Sequence, residues 1–363
     1  MKKRYVIPLA IVGASALLTL LARCIRPFAD FYCAHIFPYI SAPLTFLSGL
    51  VPFSAGEVLI VAALLLIIIG IPLMIILLIF RKNSRRKTAA VSMTIALWCL
   101  AYVSLTETLN CFMLYGCTRF SQRYFTAADH KPSQLVELYG MLIEEANDLA
   151  LQVPRDRDDR FELTIDPDKA AIDAMKAISG DYPQLSGYYP DPKPIQFSFF
   201  MSQSNLLGMY FPFTMEANYN DDMVRTNLPD TLCHELAHLK GFIQEDEANF
   251  IAYIATSRSS DPQVRYSGCL RALEYVRNQI VRSGVSESLT DSISEQVRRD
   301  WFRFMPDTYW EDNKKKEIIP TETVEAVSDA ATDTSLKLNG VEEGIERYTG
   351  VVALLLDYYF PGG

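Results

Sequence analysis

Residues Val58–Phe80 read VLIVAALLLIIIGIPLMIILLIF, twenty-three positions without a charge. A helix of that composition has no polar face to turn toward water. A hydrocarbon core about 30 Å thick takes roughly 20 helical residues, so the run predicts a membrane span. Its one proline is compatible with a span, because neighbouring helices and local unwinding re-satisfy the carbonyl groups that proline frees. Two more segments have similar length and composition, and spans are expected at 5–22, 58–80 and 89–106.

Lys2, Lys3 and Arg4 precede the first of these, as they would precede a secretory signal. The exit, Leu21-Ala22-Arg23-Cys24, lacks the small-residue cleavage pattern, which predicts a retained anchor. Between the first two spans, Phe28–Phe53 is aromatic and flanked or broken by Pro27, Pro38, Pro43 and Pro52, and it reads as an interfacial or re-entrant stretch. Basic residues collect in short cytoplasmic segments. Lys2–Arg4 and the loop 81–87, which holds five basic residues, are two spans apart, so both are expected on the cytoplasmic side. A third span then carries the rest of the chain across. The expected organisation is a membrane region of about three helices over 1–109 and an extracytoplasmic domain over 110–363.

The polar half has the character of an acidic globular protein, and the whole chain carries a net charge of −9. This polar half carries no dense Lys/Arg clustering of the kind phosphate binding requires, which argues against a nucleic-acid partner. The seven cysteines, at 24, 33, 99, 111, 117, 233 and 269, form no CxxC pair, which argues against a cysteine-rich metal site. Cys111, Cys117, Cys233 and Cys269 are either buried thiols or, outside the cytoplasm, candidates for disulfides. Helical spacing of Leu135, Leu138, Leu142, Ile143, Ala146 and Leu149 predicts a helix over 131–151, with another over 166–179. Strands are expected near 195–200 and 210–219, and further helices at 245–257, 262–283, 287–304 and within 344–359. Charged and poor in large apolar residues, 311–333 reads as an exposed loop. The expected fold class is an α-helical membrane region followed by a mainly α, α+β domain.

One stretch carries chemistry: Cys233-His234-Glu235-Leu236-Ala237-His238-Leu239-Lys240-Gly241. Residues four apart share a helix face, so His234 and His238 can aim both imidazoles at one ion, with Glu235 beside them. In such a site the carboxylate acts as general base toward water that zinc has acidified. Only four histidines occur in the chain, and two are here. A catalytic zinc usually has three protein ligands. Gly241 can end the helix and reverse the chain, bringing Glu245 back as third ligand, with Glu247 as the rival. Asn249, one turn beyond Glu245, would then brace a ligand imidazole. Upstream, the segment holding Glu216, Ala217 and Asn218 is the candidate edge strand for an extended peptide, and Tyr348 is a candidate donor to a developing oxyanion.

These residues resemble a family of uncharacterised bacterial integral membrane proteins classed as zincin-type metallopeptidases. The resemblance lies in Tyr-Phe-Pro-Phe-Thr-x-Glu-Ala-Asn at Tyr210–Asn218, in His-Glu-x-x-His-x-x-Gly-Phe followed by Glu-Asp-Glu-Ala-Asn-Phe over His234–Phe250, and in Gly-x-x-x-Tyr at Gly344–Tyr348. It implies a zincin-like domain with one zinc ion per chain at His234, His238 and Glu245, and Glu235 as base. The expected function is a membrane-anchored zinc peptidase with a peptide or protein substrate. The alternative from another class is a non-catalytic zinc module that senses or binds a peptide or cell-wall ligand. Six residues separate His238 from Glu245, fewer than is usual in zinc peptidases with a glutamate ligand, which keeps Glu247 open. Sequence sets no oligomeric state.

Overall fold

The computed structural model describes residues 3–80, 82–284, 288–301, 304–338 and 350–363. The chain divides into two units. The first runs to Cys117 and includes Phe211–Glu216; the second comprises Thr118–Tyr210 and Ala217–Gly363. The boundary expected at 109/110 falls within the first unit, eight residues before its end at Cys117, and six residues from the middle of the chain group with the N-terminal helices.

In the first unit three helices are long and apolar enough to cross a membrane: Lys3–Cys24, Ala55–Phe80 and Arg85–Gly116. Each outruns its expected limits, because the polar residues at its ends are themselves helix-compatible. A π-helical turn at Leu66–Gly70 interrupts the second. Pro72 supplies a cause, since its ring clashes with the carbonyl of Ile68, four residues back inside that turn. The aromatic stretch forms two helices, Arg26–His35 and Phe37–Gly49, each with proline in its first turn.

The inserted segment is held by side chains and backbone of these helices. Asn110 Nδ2 donates to Pro212 O (2.7 Å), Tyr102 Oη to Phe213 O (2.7 Å) and Ser48 Oγ to Met215 O (3.4 Å). Glu216 accepts from the backbone N–H groups of Ala55 (3.0 Å) and Gly56 (2.7 Å). Those donors open the helix that starts at Ala55, where N–H groups lack intrahelical partners and the helix dipole favours an anion.

The second unit is built on packed helices. Leu228–Leu239 lies against Pro167–Ile178, Glu245–Ser257 and Pro262–Arg282, and the last also packs on Pro132–Ala150. All six periodic apolar residues expected on the 131–151 helix are buried. Asp166 caps the next helix by accepting from Lys169 N (3.1 Å). The C-terminal helix is Gly350–Tyr359, with Val351, Val352, Leu355 and Leu356 buried. All seven cysteines are free thiols.

A three-stranded sheet comprises β1 (Lys193–Ile195), β2 (Gly208–Phe211) and β3 (Glu216–Asn220) in the order β1-β3-β2. β1 is parallel to β3, with Lys193 opposite Asn218. The strand expected at 210–219 is thus two strands joined at Pro212–Met215, where Met215 adopts φ 54° and its N–H bonds Phe211 O (2.8 Å). The strand expected at 195–200 ends at Ile195, and the chain turns into the helix Ser198–Gln203. The helix expected at 287–304 is broken into a 3₁₀ segment, Ser288–Ser292, and the helix Glu295–Asp300, whose cap Ser294 accepts from Val297 N (3.3 Å). Within 311–333, expected as a loop, the chain enters the helix Thr321–Leu338. Alanine, glutamate and leucine favour helix there even with little apolar surface to bury.

Glu216, Ala217 and Asn218, expected on an edge strand, lie on β3, the middle strand, and every β3 residue is buried. The edge nearer the motif is β2. Both oxygens of Glu216 are taken up by backbone N–H groups at a helix start. Glu216→Ala leaves two helix-opening N–H groups without their acceptor, and hydrogen bonds to a charged group contribute about 1.5–3 kcal/mol each. The variant is expected to unfold at least about 2 kcal/mol more easily, measured by thermal denaturation of the full chain in detergent.

Candidate metal centre

The helix Leu228–Leu239 carries His234, Glu235 and His238, with Pro229 in its first turn. It ends where the sequence predicts: Gly241 has φ 92°, a conformation that costs residues with a Cβ. Gly241 N–H bonds His238 O (2.9 Å) and Phe242 N–H bonds Ala237 O (3.3 Å), the paired bonds of a Schellman turn. The reversed chain starts the next helix at Glu245.

That helix opens with three acidic residues, favoured at a positive helix end, and each has a different partner. Glu245 approaches both imidazoles, Oε2 at 3.3 Å from His234 Nε2 and Oε1 at 3.8 Å from His238 Nε2. Asp246 pairs with Arg119 Nη1 (3.0 Å). Glu247 is fully buried and accepts from Ser121 through both oxygens, from the backbone N–H (2.8 Å) and from Oγ (2.6 Å). Of the two rival third ligands, the structure brings Glu245 to the histidines and engages Glu247 elsewhere.

Donor atoms of His234, Glu235 and His238 lie within 4.8 Å of one another, so two carboxylates approach the imidazoles. Glu245 is the closer. Glu235 stands on the same helix as the histidines, is 4 % exposed, and has an Oε2 with no hydrogen-bond partner among the described residues. Its other oxygen rests on Gly208, the first residue of β2. A Cβ at Gly208 would overlap the Glu235 carboxylate, so glycine is what lets the edge strand pass this close.

His238 Nδ1 is 2.7 Å from Phe242 O. A carbonyl only accepts, so Nδ1 carries the proton and Nε2 presents its lone pair toward Glu245. Phe242 is itself anchored, its ring 5.4 Å from that of Phe120 in an edge-on contact. This carbonyl does the bracing expected of Asn249. Asn249 instead lines the cavity beside the histidines, 7 % exposed, with Nδ2 unpartnered among the described residues. The helix had placed Asn249 on the right face; the shorter path through the turn gave the imidazole a nearer acceptor. Tyr348 lies outside the described residues.

Charge at the cluster is finely divided. Burial alone would lower His234, but the hydrogen bond and charge of Glu245 outweigh it and raise His234 above its ordinary value. Burial alone would raise Glu245, and His234 pulls it below the usual carboxylate range. Burial and the charge of His234 push His238 down to about 4. Burial lifts Glu235 to about 8 against the opposing charge of His234. These shifts favour a charged His234 paired with an ionised Glu245, beside a neutral His238. Ligands about 2.0–2.1 Å from a tetrahedral zinc ion stand roughly 3.3–3.4 Å apart; the 3.3 Å between His234 and Glu245 Oε2 matches that spacing, the 3.8 Å from His238 to Glu245 Oε1 is wider, and the N, N, O donor types suit such an ion.

A cavity of about 330 Å³ adjoins the cluster, bounded by Leu206–Gly208, the motif helix, and the helix Pro262–Arg282. The last contributes Arg271, Glu274 and Tyr275, none of which sequence spacing singled out. Arg271 Nη1 donates to Glu274 (2.8 Å), and Arg271 Nε is 3.8 Å from Asp230 Oδ2. Asp230, one turn ahead of His234, is raised to about 6 by burial despite Arg271. Asp230 was missed as well; its i,i+4 relation to His234 is the one sequence signal that could have found it.

Comparison with curated proteins found no match, and neither did comparison with solved structures. A family model does match, over residues 32–356, a range that takes in the aromatic stretch, two of the three long apolar helices, the motif and most of the C-terminal helix. The chain therefore belongs to the DUF3810 family of proteins of unknown function.

Proposed function

We propose that this protein is a membrane-anchored zinc-dependent hydrolase that cleaves an amide bond in a peptide or protein. The observation that carries this reading is the convergence of His234 Nε2 and His238 Nε2 on the Glu245 carboxylate, next to the buried, unpartnered Oε2 of Glu235. His234, His238 and Glu245 would hold one zinc ion per chain. Zinc so bound supplies Lewis acidity, polarising a carbonyl and bringing the pKa of a water toward 7.

The chain's own residues divide the remaining work. Glu235 takes the proton from the attacking water and returns it to the departing amine, a task that needs a carboxylate oxygen free of competing donors. Phe242 O holds the His238 tautomer that leaves Nε2 available. β2 lies at a sheet edge, and an extended peptide pairing with Gly208–Tyr210 would run past Glu235, which rests on Gly208. Tyr210, its ring 5.9 Å from that of His238, closes this side.

The basic residues at 2–4 and 82–87 favour a cytoplasmic location for both segments, with the site on the opposite face of the membrane. The proposed partners are accordingly a lipid bilayer and an extracytoplasmic peptide or protein.

Metal content tests the ligand set. The purified full chain in detergent is expected to carry about one zinc per molecule by elemental analysis. Glu245→Ala should lose most of it, whereas Glu247→Ala should keep zinc but unfold more easily by about 1–3 kcal/mol, as Ser121 loses its acceptor. Equal zinc loss in both variants would reject Glu245 as the ligand. Glu235→Gln is expected to keep zinc and lose hydrolysis of a peptide library by about 10²–10⁴-fold. Zinc retained in a wild type that cleaves nothing would favour the binding-module alternative. Gly208→Ala should likewise retain zinc while displacing Glu235, with a rate loss of about tenfold or more; an unchanged rate would show that Glu235 does not depend on this contact.

A further inference from the structure

The cavity extends beyond the groups the hydrolase reading uses. Its far wall holds Asp230 from the motif helix and Arg271 and Glu274 from Pro262–Arg282. Two carboxylates and one guanidinium share this part of the lining, and the charge of His234 also acts on Asp230. Arg271 Nη1 is committed to Glu274 at 2.8 Å, and Arg271 Nε stays 3.8 Å from Asp230 Oδ2, beyond hydrogen-bond reach. Asp230 is 3 % exposed, and its Oδ1 has no partner among the described residues. Asn249 lines the same cavity, and its buried Nδ2 has no acceptor among the described residues.

Buried polar atoms are nearly always satisfied, and a buried carboxylate oxygen with nothing to accept is costly. The unmatched pair specifies what would satisfy it: a cationic donor for Asp230 and, nearby, a carbonyl oxygen for Asn249. A substrate carboxylate fits poorly, because it would meet Asp230 and Glu274 as like charges with Arg271 already engaged. Resting on the hydrolase reading above, we infer that Asp230 binds an ammonium group of the substrate in this cavity, with Asn249 donating to a carbonyl of the same molecule. Two sources offer that chemistry, the α-ammonium of a peptide's first residue and a lysine side chain. A volume of about 330 Å³ admits a residue or two, so the ammonium would lie close to the scissile bond.

The test uses the zinc-loaded full chain in detergent and matched peptides, with free or acetylated N-termini and with lysine or norleucine at each position. Binding is measured with Glu235→Gln, which needs no turnover, and kcat/KM with wild type. One pair is expected to differ by about tenfold or more in both measurements. Sensitivity to acetylation identifies the α-ammonium, and sensitivity to norleucine identifies the side chain. Adding Asp230→Asn should bring the ratio within the sensitive pair to about one, through weaker binding of the ammonium peptide. Equal affinity for charged and neutral partners, or a uniform loss on both from Asp230→Asn, would overturn the inference. Absence of hydrolysis by wild type bears on the proposed function instead, since the binding ratio is read without it.

Discussion

Two imidazoles and a carboxylate aimed at one point require a positive charge at that point. In this protein the histidines come from successive turns of one helix, and the carboxylate of Glu245 arrives from a different helix, seven residues after His238. The fold solves that constraint in the shortest way available, with a left-handed glycine at Gly241 and a new helix starting at Glu245. The same turn places Phe242 O against His238 Nδ1, so the reversal that delivers the third donor also orients the second. Its aromatic ring, set against Phe120, keeps the turn from relaxing outward.

The cluster's environment decides which acids can take part. Three consecutive acidic residues open the second helix, and in isolation any of them would suit its positive end. Ser121 takes up both oxygens of Glu247, and Arg119 neutralises Asp246. Of these three, Glu245 is the one left to face the histidines. Glu235 is separated from the ligands by a different means. It is confined between its own helix and the α-carbon of Gly208, buried, and deprived of a donor for Oε2. One carboxylate is therefore ion-paired with the histidines, while for its neighbour burial outweighs the same charge.

Much of this was legible in the residues. The three apolar helices, the packed face of Pro132–Ala150, the motif helix, its glycine stop and the restart at Glu245 follow from periodicity, composition and cap chemistry. What escaped was set by contacts distant in sequence. Spacing favoured Glu245 over Glu247 without deciding between them, because the decision lies with Ser121, more than a hundred residues upstream. Asn249 sits where helical geometry put it, but its expected bond was pre-empted by a backbone carbonyl that no side-chain pattern encodes. β3 looked like an edge because strand order cannot be read from a single strand, and its partner β1 comes from a proline-rich stretch whose strand character is three residues long. Asp230, Arg271 and Glu274 gave no signal as a group, being spread over two helices.

The expected boundary at 109/110 shows how local composition misleads about a domain. Hydropathy changes sharply there, yet β2 and β3 connect through residues whose hydrogen-bond partners precede that point or sit at it: Ser48, Ala55, Gly56, Tyr102 and Asn110. A chain begun at 110 would keep every donor of the metal cluster and lose the two N–H groups that satisfy Glu216, stranding a buried carboxylate at the start of the central strand. The destabilisation would enter through β3 and reach β2, whose first residue makes room for Glu235. Thirteen residues of strand and turn, Gly208–Asn220, thus join the glycine on which Glu235 rests to the segment that the N-terminal helices hold.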